Sequence, residues 1–326
     1  MKKNEVCVII PNWNGRKLLE VSMDALVKQT FQEFDVIVVD NGSTDNSVEF
    51  LKVNYPHIQI VTLDKNYGFA TAINAGVKNT ECPYVIFLNN DTEVDKNWVK
   101  EMYLCAKNNP EVASVCSKLL NFDDRKKIDG VGIQINEVGQ ARSIGWEQKD
   151  EGQYQKEMFI LGATGGGALF KRDIFIKVGM FDEHFFMYSE EVDWAFRAQF
   201  LGYKSIYCPK AIVYHKHKAT SGKRLDKLEY WQFKNMYMTI IKDFPTSILL
   251  KNWRWLKIIL VYFNTILYQL RNGFFWPPLF VTISLLWNLP YLISERIKIQ
   301  KSRKVSDEYI EQFLQPKPVT FWGIKR

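Results

Sequence analysis

No two cysteines of this chain stand in a C-x-x-C spacing, and their number, five, is odd. Cys7 and Cys116 lie inside apolar, strand-like runs, where a free thiol behaves as a small hydrophobe. A disulfide framework and a structural zinc site are therefore not expected, and a reducing compartment is. Glycine-rich phosphate loops are missing as well. No G-x-G-x-x-G follows the first apolar run, and G-x-x-x-x-G-K-S/T occurs nowhere, so dinucleotide and P-loop readings lose their main support. Met1-Lys2-Lys3-Asn4-Glu5 leads straight into that run without the apolar core of a signal peptide. The front of the protein is accordingly expected in the cytoplasm. Nor is the chain poor in apolar residues. At 47% of 326 residues they suffice for a real core in one large domain or two, with no long disordered stretch.

What is present is an alternation. Residues 6–10, 34–39, 58–63 and 84–88 are short apolar runs, the first three closed by Pro11, Asp40 and Asp64. Between them, 16–28 places Leu18, Leu19, Met23 and Leu26 near helical spacing, and 68–78 is rich in alanine. A third segment, 45–54, follows Ser43 and Thr44, good capping residues. Strand and helix alternating at this pitch imply an α/β fold with a mostly parallel sheet flanked by helices. In such a sheet, ligands bind beyond the carboxyl ends of the strands. Those ends read Pro11-Asn12-Trp13-Asn14, Asp40-Asn41-Gly42-Ser43, Asp64-Lys65-Asn66-Tyr67-Gly68 and Asn89-Asn90-Asp91. One polar cap is ordinary turn chemistry; four at one edge point to a ligand site. Asp40 can accept hydrogen bonds from a base or ribose. Asp91 is a hard oxygen ligand suited to Mg²⁺ or Mn²⁺, which can bridge a diphosphate.

With these residues in view, the chain resembles the family 2 glycosyltransferases, which have the GT-A fold. The resemblance rests on residues 8–15 (VIIPNWNG), 38–45 (VVDNGSTD) and 65–70 (KNYGFA) with Asn74 and Gly76. It includes Leu88-Asn89-Asn90-Asp91, similar to the metal-binding motif of rhamnosyltransferase-like members. It continues through Gly165-Gly166-Gly167-Ala168, Phe181-Asp182-Glu183, residues 188–194 (YSEEVDW) and 209–215 (PKAIVYH), covering roughly 5–245. Each motif is weak alone; their number and order carry the match. Two positions depart from the pattern. Asn89 and Asn90 stand where many relatives carry a carboxylate, and Glu190-Glu191 replaces the usual Glu-Asp.

The resemblance implies a nucleotide site of Pro11, Asn12, Asn14, Asp40 and Asn41, continued by Ser43, Asn66, Gly68 and Asn90. It implies Asp91 and His215 as ligands of a divalent metal, Mg²⁺ or Mn²⁺. Glu191 inherits the place of the general base, and Gly165, Gly166, Glu190 and Trp194 that of the donor-sugar and acceptor region. The acids of residues 190–193 also suit the first turn of a helix without any catalytic task. Crowded carboxylates raise one another's proton affinity, which helps a base work near neutral pH. The implied reaction is inverting transfer of a sugar, rhamnose from a dTDP donor or a hexose from UDP, to a saccharide or lipid-linked acceptor. The setting would be bacterial cell-surface polysaccharide synthesis. Two rivals stand beside it: a non-catalytic nucleotide-sugar-binding scaffold, and a sugar-1-phosphate nucleotidyltransferase, which the first strand does not favour because no basic glycine-rich loop follows it.

Beyond residue 245 the composition changes. Residues 255–270 are apolar and aromatic, and 273–293 carry no charge, a length sufficient to span a bilayer at ~20 residues. Pro277, Pro278 and Pro290 are expected to break a simple helix there. The segment can lie in the membrane interface, form a short hairpin through it, or bury itself as a dimer interface. Residues 1–245 are thus expected to form the catalytic domain and 246–326 a membrane-associated helical region, at the cytoplasmic face of the cell membrane. Net charge is +7, and basic residues cluster at Lys216, Lys218, Lys223, Arg224 and Lys227 and again at Arg296, Lys298, Lys301, Arg303 and Lys304. Such runs suit phosphates or anionic lipid heads, or simply a solvated face. The first run reads as a mobile lid over the diphosphate. No nucleic-acid partner is expected; a homodimer is admitted.

Overall fold

A computed structural model of the chain describes residues 4–216 and 225–316. Four parallel strands open it: β1 (Val6–Asn12), β2 (Phe34–Asn41), β3 (Gln59–Leu63) and β4 (Tyr84–Leu88), in the spatial order β3-β2-β1-β4. Helices α1 (Arg16–Val27), α2 (Ser47–Asn54) and α3 (Phe69–Lys78) connect them. Alternation along β1 sets the layers. Val6, Val8 and Ile10 pack with Leu19, Met23 and Leu26 of α1 on one face. Cys7 and Ile9 pack with Ile73 and Val77 of α3 on the other.

Two local expectations are corrected. Pro11 does not end the first strand, which runs on in register, Pro11 opposite Val39 and Asn12 opposite Asp40. Pairing to β4 stops at Ile9–Phe87, so beyond that point β1 has one neighbour, and proline is tolerated where a strand becomes an edge. Ser43 and Thr44 do not cap α2 either. Asn46 occupies the cap position in a left-handed conformation, and Asp45 accepts from the backbone N–H and hydroxyl of Ser47.

The chain continues through β5 (Thr92–Val94), α4 (Trp98–Asn108), β6 (Val112–Asn121), β7 (Ile128–Gly130), β8 (Ile133–Asn136), β9 (Ala141–Ser143), β10 (Met158–Ile160) and β11 (Gly167–Lys171), all of these strands but β8 and β9 joining the large sheet. Next come α5 (Arg172–Val178), α6 (Glu190–Phe200) and β12 (Lys204–His215). The full order is β10-β12-β6-β11-β4-β1-β2-β3, with β11 antiparallel between β4 and β6. Strand β5 pairs with the end of β12, which brings Thr92 opposite His215.

A third hydrophobic core holds the rest: α7 (Leu225–Asp243), α8 (Thr246–Leu250), α9 (Arg254–Arg271), α10 (Trp276–Ser302), α11 (Asp307–Glu311) and β13 (Leu314–Gln315), the last completing a small sheet with β8 and β9. Phe196 and Phe200 of α6 meet Ile240, Ile258, Val281 and Ile299 there, so the core is continuous across residue 245. The prolines of α10 do not break it. Pro277 and Pro278 lie in its first turn, where the missing N–H has no helical partner to lose, and the helix passes through Pro290. Among the described residues, α10 is the one helix long and apolar enough to cross a membrane by length and composition. All five cysteines are free and buried.

Charges are buried where α7 meets α6. Lys242 is 2% exposed; its Nζ pairs with Asp182 and lies 2.6 Å from Asp193 Oδ1. Arg197 Nη2 is 2.6 Å from Asp193 Oδ2, and Tyr291 of α10 donates to Asp182 Oδ2 at 2.8 Å. Burial, followed by the charge of Asp193, pushes the Asp243 carboxyl well up. Removing a partner from a buried pair strands the opposite charge. Lys242→Met is expected to lower stability by ~3–5 kcal/mol, whereas the same change at the exposed Lys298 should move it by less than ~0.5 kcal/mol. Urea denaturation of both variants is the check.

Candidate active site

The four strand ends converge and interlock. Asn12 Nδ2 donates to Asp40 Oδ1 at 3.2 Å and to Ser43 Oγ at 3.3 Å, and Asn90 Nδ2 donates to Asn12 Oδ1 at 2.8 Å. The Asn14 N–H donates to Ser43 Oγ, and Asn14 Oδ1 accepts from the Thr44 N–H at 2.7 Å. Asn41 Nδ2 reaches Asn66 Oδ1 at 3.1 Å and the Gly68 carbonyl at 3.0 Å. Side chains from β1, β2 and the loops after β3 and β4 thus form one polar floor, with Pro11 at the end of β1 beneath it. Gly68 has φ +91°, and a Cβ there would collide with Phe186, so only glycine lets the chain pass.

Asp91 follows that floor. Its Oδ1 is 3.3 Å from Nε2 of His215 at the end of β12. The other ring nitrogen, Nδ1, is 2.6 Å from Oδ2 of Asp129 on β7. Burial disfavours the charged ring, but hydrogen bonds and charge from Asp129 and Asp91 outweigh it and carry its pKa up to about 10. The donor set fits a divalent cation. A carboxylate oxygen and an imidazole nitrogen converge, and Asp129, bonded to the other ring nitrogen, fixes the orientation of the imidazole. Among the described residues no group of three or more His, Cys, Asp or Glu forms a cage. One or two protein ligands is what Mg²⁺ takes when substrate phosphates complete its shell.

The acids of α6 are reached through a strained loop. Phe186, Tyr188 and Ser189 all have positive φ (63°, 69° and 67°), which non-glycine residues seldom adopt. Two contacts hold it. The Phe186 carbonyl accepts from the Phe69 N–H at 2.6 Å, joining the loop to the start of α3. Asn235 of α7, fully buried, donates from Nδ2 to the carbonyls of Phe185, Met187 and Tyr188 at 2.8–2.9 Å. Glu190 and Glu191 follow, each with a buried Oε2 that has no hydrogen-bond partner among the described residues. Burial and then the charge of Glu191 push Glu190 well up. Burial also raises Glu191, against hydrogen bonds at the helix start and from Glu190. The pair therefore holds a proton where isolated carboxylates would not.

Gly165 and Gly166 lie at the same edge, just before β11. A Cβ on Gly165 would meet the Phe69 ring at 3.3 Å, and one on Gly166 would lie 3.9 Å from Asn89 Nδ2. Trp194 does not reach this edge, and its assignment to the sugar region is corrected. It is 1% exposed, packed against Phe170 and Phe175, with Nε1 toward the Phe175 carbonyl. Of the basic loop, Lys216 donates its N–H to the Asp91 carbonyl; residues 217–224, read as a lid, lie outside the described residues. Sequence reasoning missed Asp129 and Asn235. A lone acid in an apolar strand was the one signal for Asp129; Asn235, inside a helix, gave none.

Residues 7–193 match the model of a family described as Glycosyl transferase family 2, and residues 148–298 that of Glycosyl transferase family group 2. The chain is 25% identical over 238 residues to the O-antigen biosynthesis protein RfbC of Myxococcus xanthus, a match covering 70% of this chain but 18% of that protein. It is 26% identical over 224 residues to the O-antigen chain rhamnosyltransferase RfbN of Salmonella typhimurium, covering 66% and 68% of the two chains. Among solved structures it is similar to the mannosyltransferase PcManGT from Pyrobaculum calidifontis in complex with GDP-Man and Mn²⁺. The TM-score is 0.55, identity 15%, and coverage 96% of this chain and 84% of that one. That likeness shows the GT-A-type fold.

Two stability measurements probe the loop and the acid pair. Asn235→Ala removes the buried amide that bonds the carbonyls of Phe185, Met187 and Tyr188 and should cost ~1–3 kcal/mol, read by urea denaturation. For Glu190 the folded pKa lies above its ordinary 4.5. Its contribution is therefore full below pH ~4.5 and is lost as pH rises through the folded value. Glu190→Gln should be more stable than the parent at pH 8, with the gap closing toward pH 4, in thermal unfolding across that range.

Proposed function

Because the chain belongs to glycosyl transferase family 2, by a match over more than half its length, we propose that it transfers a sugar from a nucleotide diphosphate to a hydroxyl of a saccharide or lipid-linked acceptor. The observation that carries this reading is the single polar floor made by four strand ends, with Asp91 and His215 paired beside it. The sugar is rhamnose from a dTDP donor, with a hexose from UDP as the second choice, in bacterial cell-surface polysaccharide synthesis. The name of the Salmonella typhimurium relative supports the first choice.

In this reading Asp40, Asn41 and Asn66, fixed by their mutual contacts, receive the base and ribose. Pro11, Asn12, Asn14, Ser43, Gly68 and Asn90 shape the nucleotide's bed. Asp91 and His215 hold the metal, with Asp129 setting the ring so that Nε2 faces it. Bound there, Mg²⁺ or Mn²⁺ supplies positive charge against the diphosphate as it leaves. Glu191 takes the proton of the acceptor hydroxyl while the oxygen attacks the anomeric carbon opposite the breaking bond to the diphosphate, which inverts that carbon. Burial raises the affinity of Glu191 for a proton, against the hydrogen bond from Glu190, which suits it to act as a base. Gly165 and Gly166 keep the edge low enough for sugars to approach. The protein works at the cytoplasmic face of the cell membrane, with 1–245 carrying the chemistry and 246–326 making contact with the membrane.

Thermal unfolding with a panel of nucleoside diphosphates, with and without Mn²⁺, tests the site. At a hundred times the dissociation constant a ligand adds ~2.7 kcal/mol. A metal-dependent shift with TDP or UDP, absent in Asp91→Ala, is expected. Glu191→Gln should keep that shift and lose transfer by ~10²–10⁴-fold, and parent activity should climb with pH as the acid pair sheds its proton. A shift without turnover from any donor would instead make the protein a nucleotide-sugar-binding scaffold.

A further inference from the structure

We propose that α9 and α10 seat the protein in one leaflet of an anionic bilayer, lying in its plane rather than crossing it. This deepens the reading above, since it names how the membrane is met and by which lipids.

Each helix sets some buried residues against the third core and leaves apolar side chains facing outward. On α10 the inward stripe runs Pro277, Val281, Leu292 and Ile299, all buried. It is tied down at intervals. Thr282 Oγ1 is 2.6 Å from the Tyr262 hydroxyl of α9, Tyr291 bonds Asp182, Arg296 donates to the Ile241 carbonyl and Gln300 to the Asp243 carbonyl. From Tyr291 onward the helix is therefore fixed beside the charged cluster of Asp182, Lys242 and Asp243. Only 276–290 stays clear of that cluster, short of the ~20 residues a span needs, so crossing would draw charged side chains toward hydrocarbon, where they are strongly disfavoured. Lying in the interface leaves every one of these contacts intact.

The outward stripe is apolar and open to solvent. Leu279, Phe280, Ile283, Leu286 and Trp287 are 59%, 52%, 50%, 65% and 86% exposed. On α9, Leu260, Phe263 and Leu267 are 54%, 57% and 50% exposed. Contiguous apolar surface of this kind marks an interaction site. Charge decides what covers it. No Asp or Glu occurs from Thr246 to Ser294; Lys251, Lys257 and Lys298 are paired with Glu311, Glu137 and Glu295, while Arg271 at the end of α9 and Lys301 at the end of α10 stand exposed beside the apolar face. Exposed Trp253, Trp255 and Trp276 lie at helix ends, the position of interfacial aromatics. A cationic rim around an apolar face fits anionic headgroups above acyl chains. A second copy fits less well, because a two-fold contact sets the same face against itself and brings like charges together.

The seat also faces the chemistry. Phe186, in the strained loop before Glu190, stacks on Trp231 at 4.7 Å; Trp231 meets Tyr230 at 4.8 Å, Tyr230 meets Trp276 at 5.7 Å and Trp276 meets Phe280 at 5.8 Å. An unbroken file of rings thus joins the acid pair's loop to the outward face, placing a lipid-carried acceptor within reach of the edge.

The test is co-sedimentation of the full chain with phosphatidylglycerol-containing vesicles and with pure phosphatidylcholine vesicles. Bromine-labelled lipids, shallow or deep in the acyl chain, quench tryptophan as a depth gauge. Binding should fall by about tenfold or more on neutral vesicles, and by a similar factor in Phe280→Glu and Trp287→Glu, while Val53→Glu, remote from the face, binds as the parent does. Thermal unfolding of each variant in buffer guards against misfolding. Shallow bromines should quench most. Deep quenching with no dependence on lipid charge would mean a spanning helix and overturn the proposal. So would absence of vesicle binding together with a dimer, by light scattering, that Trp287→Glu dissolves. Loss of the glycosyltransferase reading alone would show as missing nucleotide binding with vesicle binding unchanged.

Discussion

One ammonium group sets the relation between the third core and the rest of the molecule. Lys242 Nζ is buried between Asp182, which precedes the strained loop, and Asp193, in the first turn of α6. Neither carboxylate could be buried at that separation without a cation, because like charges in a low-dielectric interior repel strongly. Arg197 supplies a second positive charge from α6 itself, and burial pushes the nearby Asp243 carboxyl well up. Asp182 sits far below the usual carboxylate range: burial opposes that, but hydrogen bonds from His184 and Lys242 and the Lys242 charge prevail. The helix that presents Glu190 and Glu191 is consequently aimed by electrostatics from α7 as well as by the packing of Trp194.

A division of labour follows along the polar edge. The polar floor is held by side-chain bonds between strand ends and loops, with Asn12 at the centre, bonded to Asp40 at the end of β2, to Ser43 just after it and to Asn90 after β4. The acid side is rigid by constraint, with three residues of positive φ held by one buried amide, Asn235. Strain of this kind persists where surroundings over-determine it, and here α3 holds the loop at Phe186 while α7 holds it at Phe185, Met187 and Tyr188. The Asp91–His215 pair lies between the two regimes, its ring locked by a strand that pairs at right register only once β6, β7 and β12 are assembled.

Much of the first half was legible because its signals are local. A β-branched run followed by Asp40-Asn41-Gly42-Ser43 states both a parallel strand and its functional end within a dozen residues. Asp91 and His215 were legible through motif order. Asp129 was not, because its meaning depends on His215, 86 residues away. Asn235 was not, for it acts on carbonyls 47 to 50 residues earlier, and a helix pattern assigns no role to a single inward amide. Trp194 misled for a related reason. It stands in the same motif as the acids, yet its position along α6 turns it into the aromatic cluster with Phe170 and Phe175. The prolines of α10 misled because two of them sit at a helix start, which sequence alone marks only when the start itself is known.

The burial of all five thiols has a practical side. The folded surface presents no sulfhydryl to an alkylating reagent or to another molecule's cysteine, so oxidation cannot cross-link native copies through these residues. Unfolding exposes them. The rate at which a thiol reagent is consumed therefore counts opening events of the sheet, and because the cysteines sit on β1, β6, β12, α4 and beside β4, it registers opening of both halves of that sheet at once.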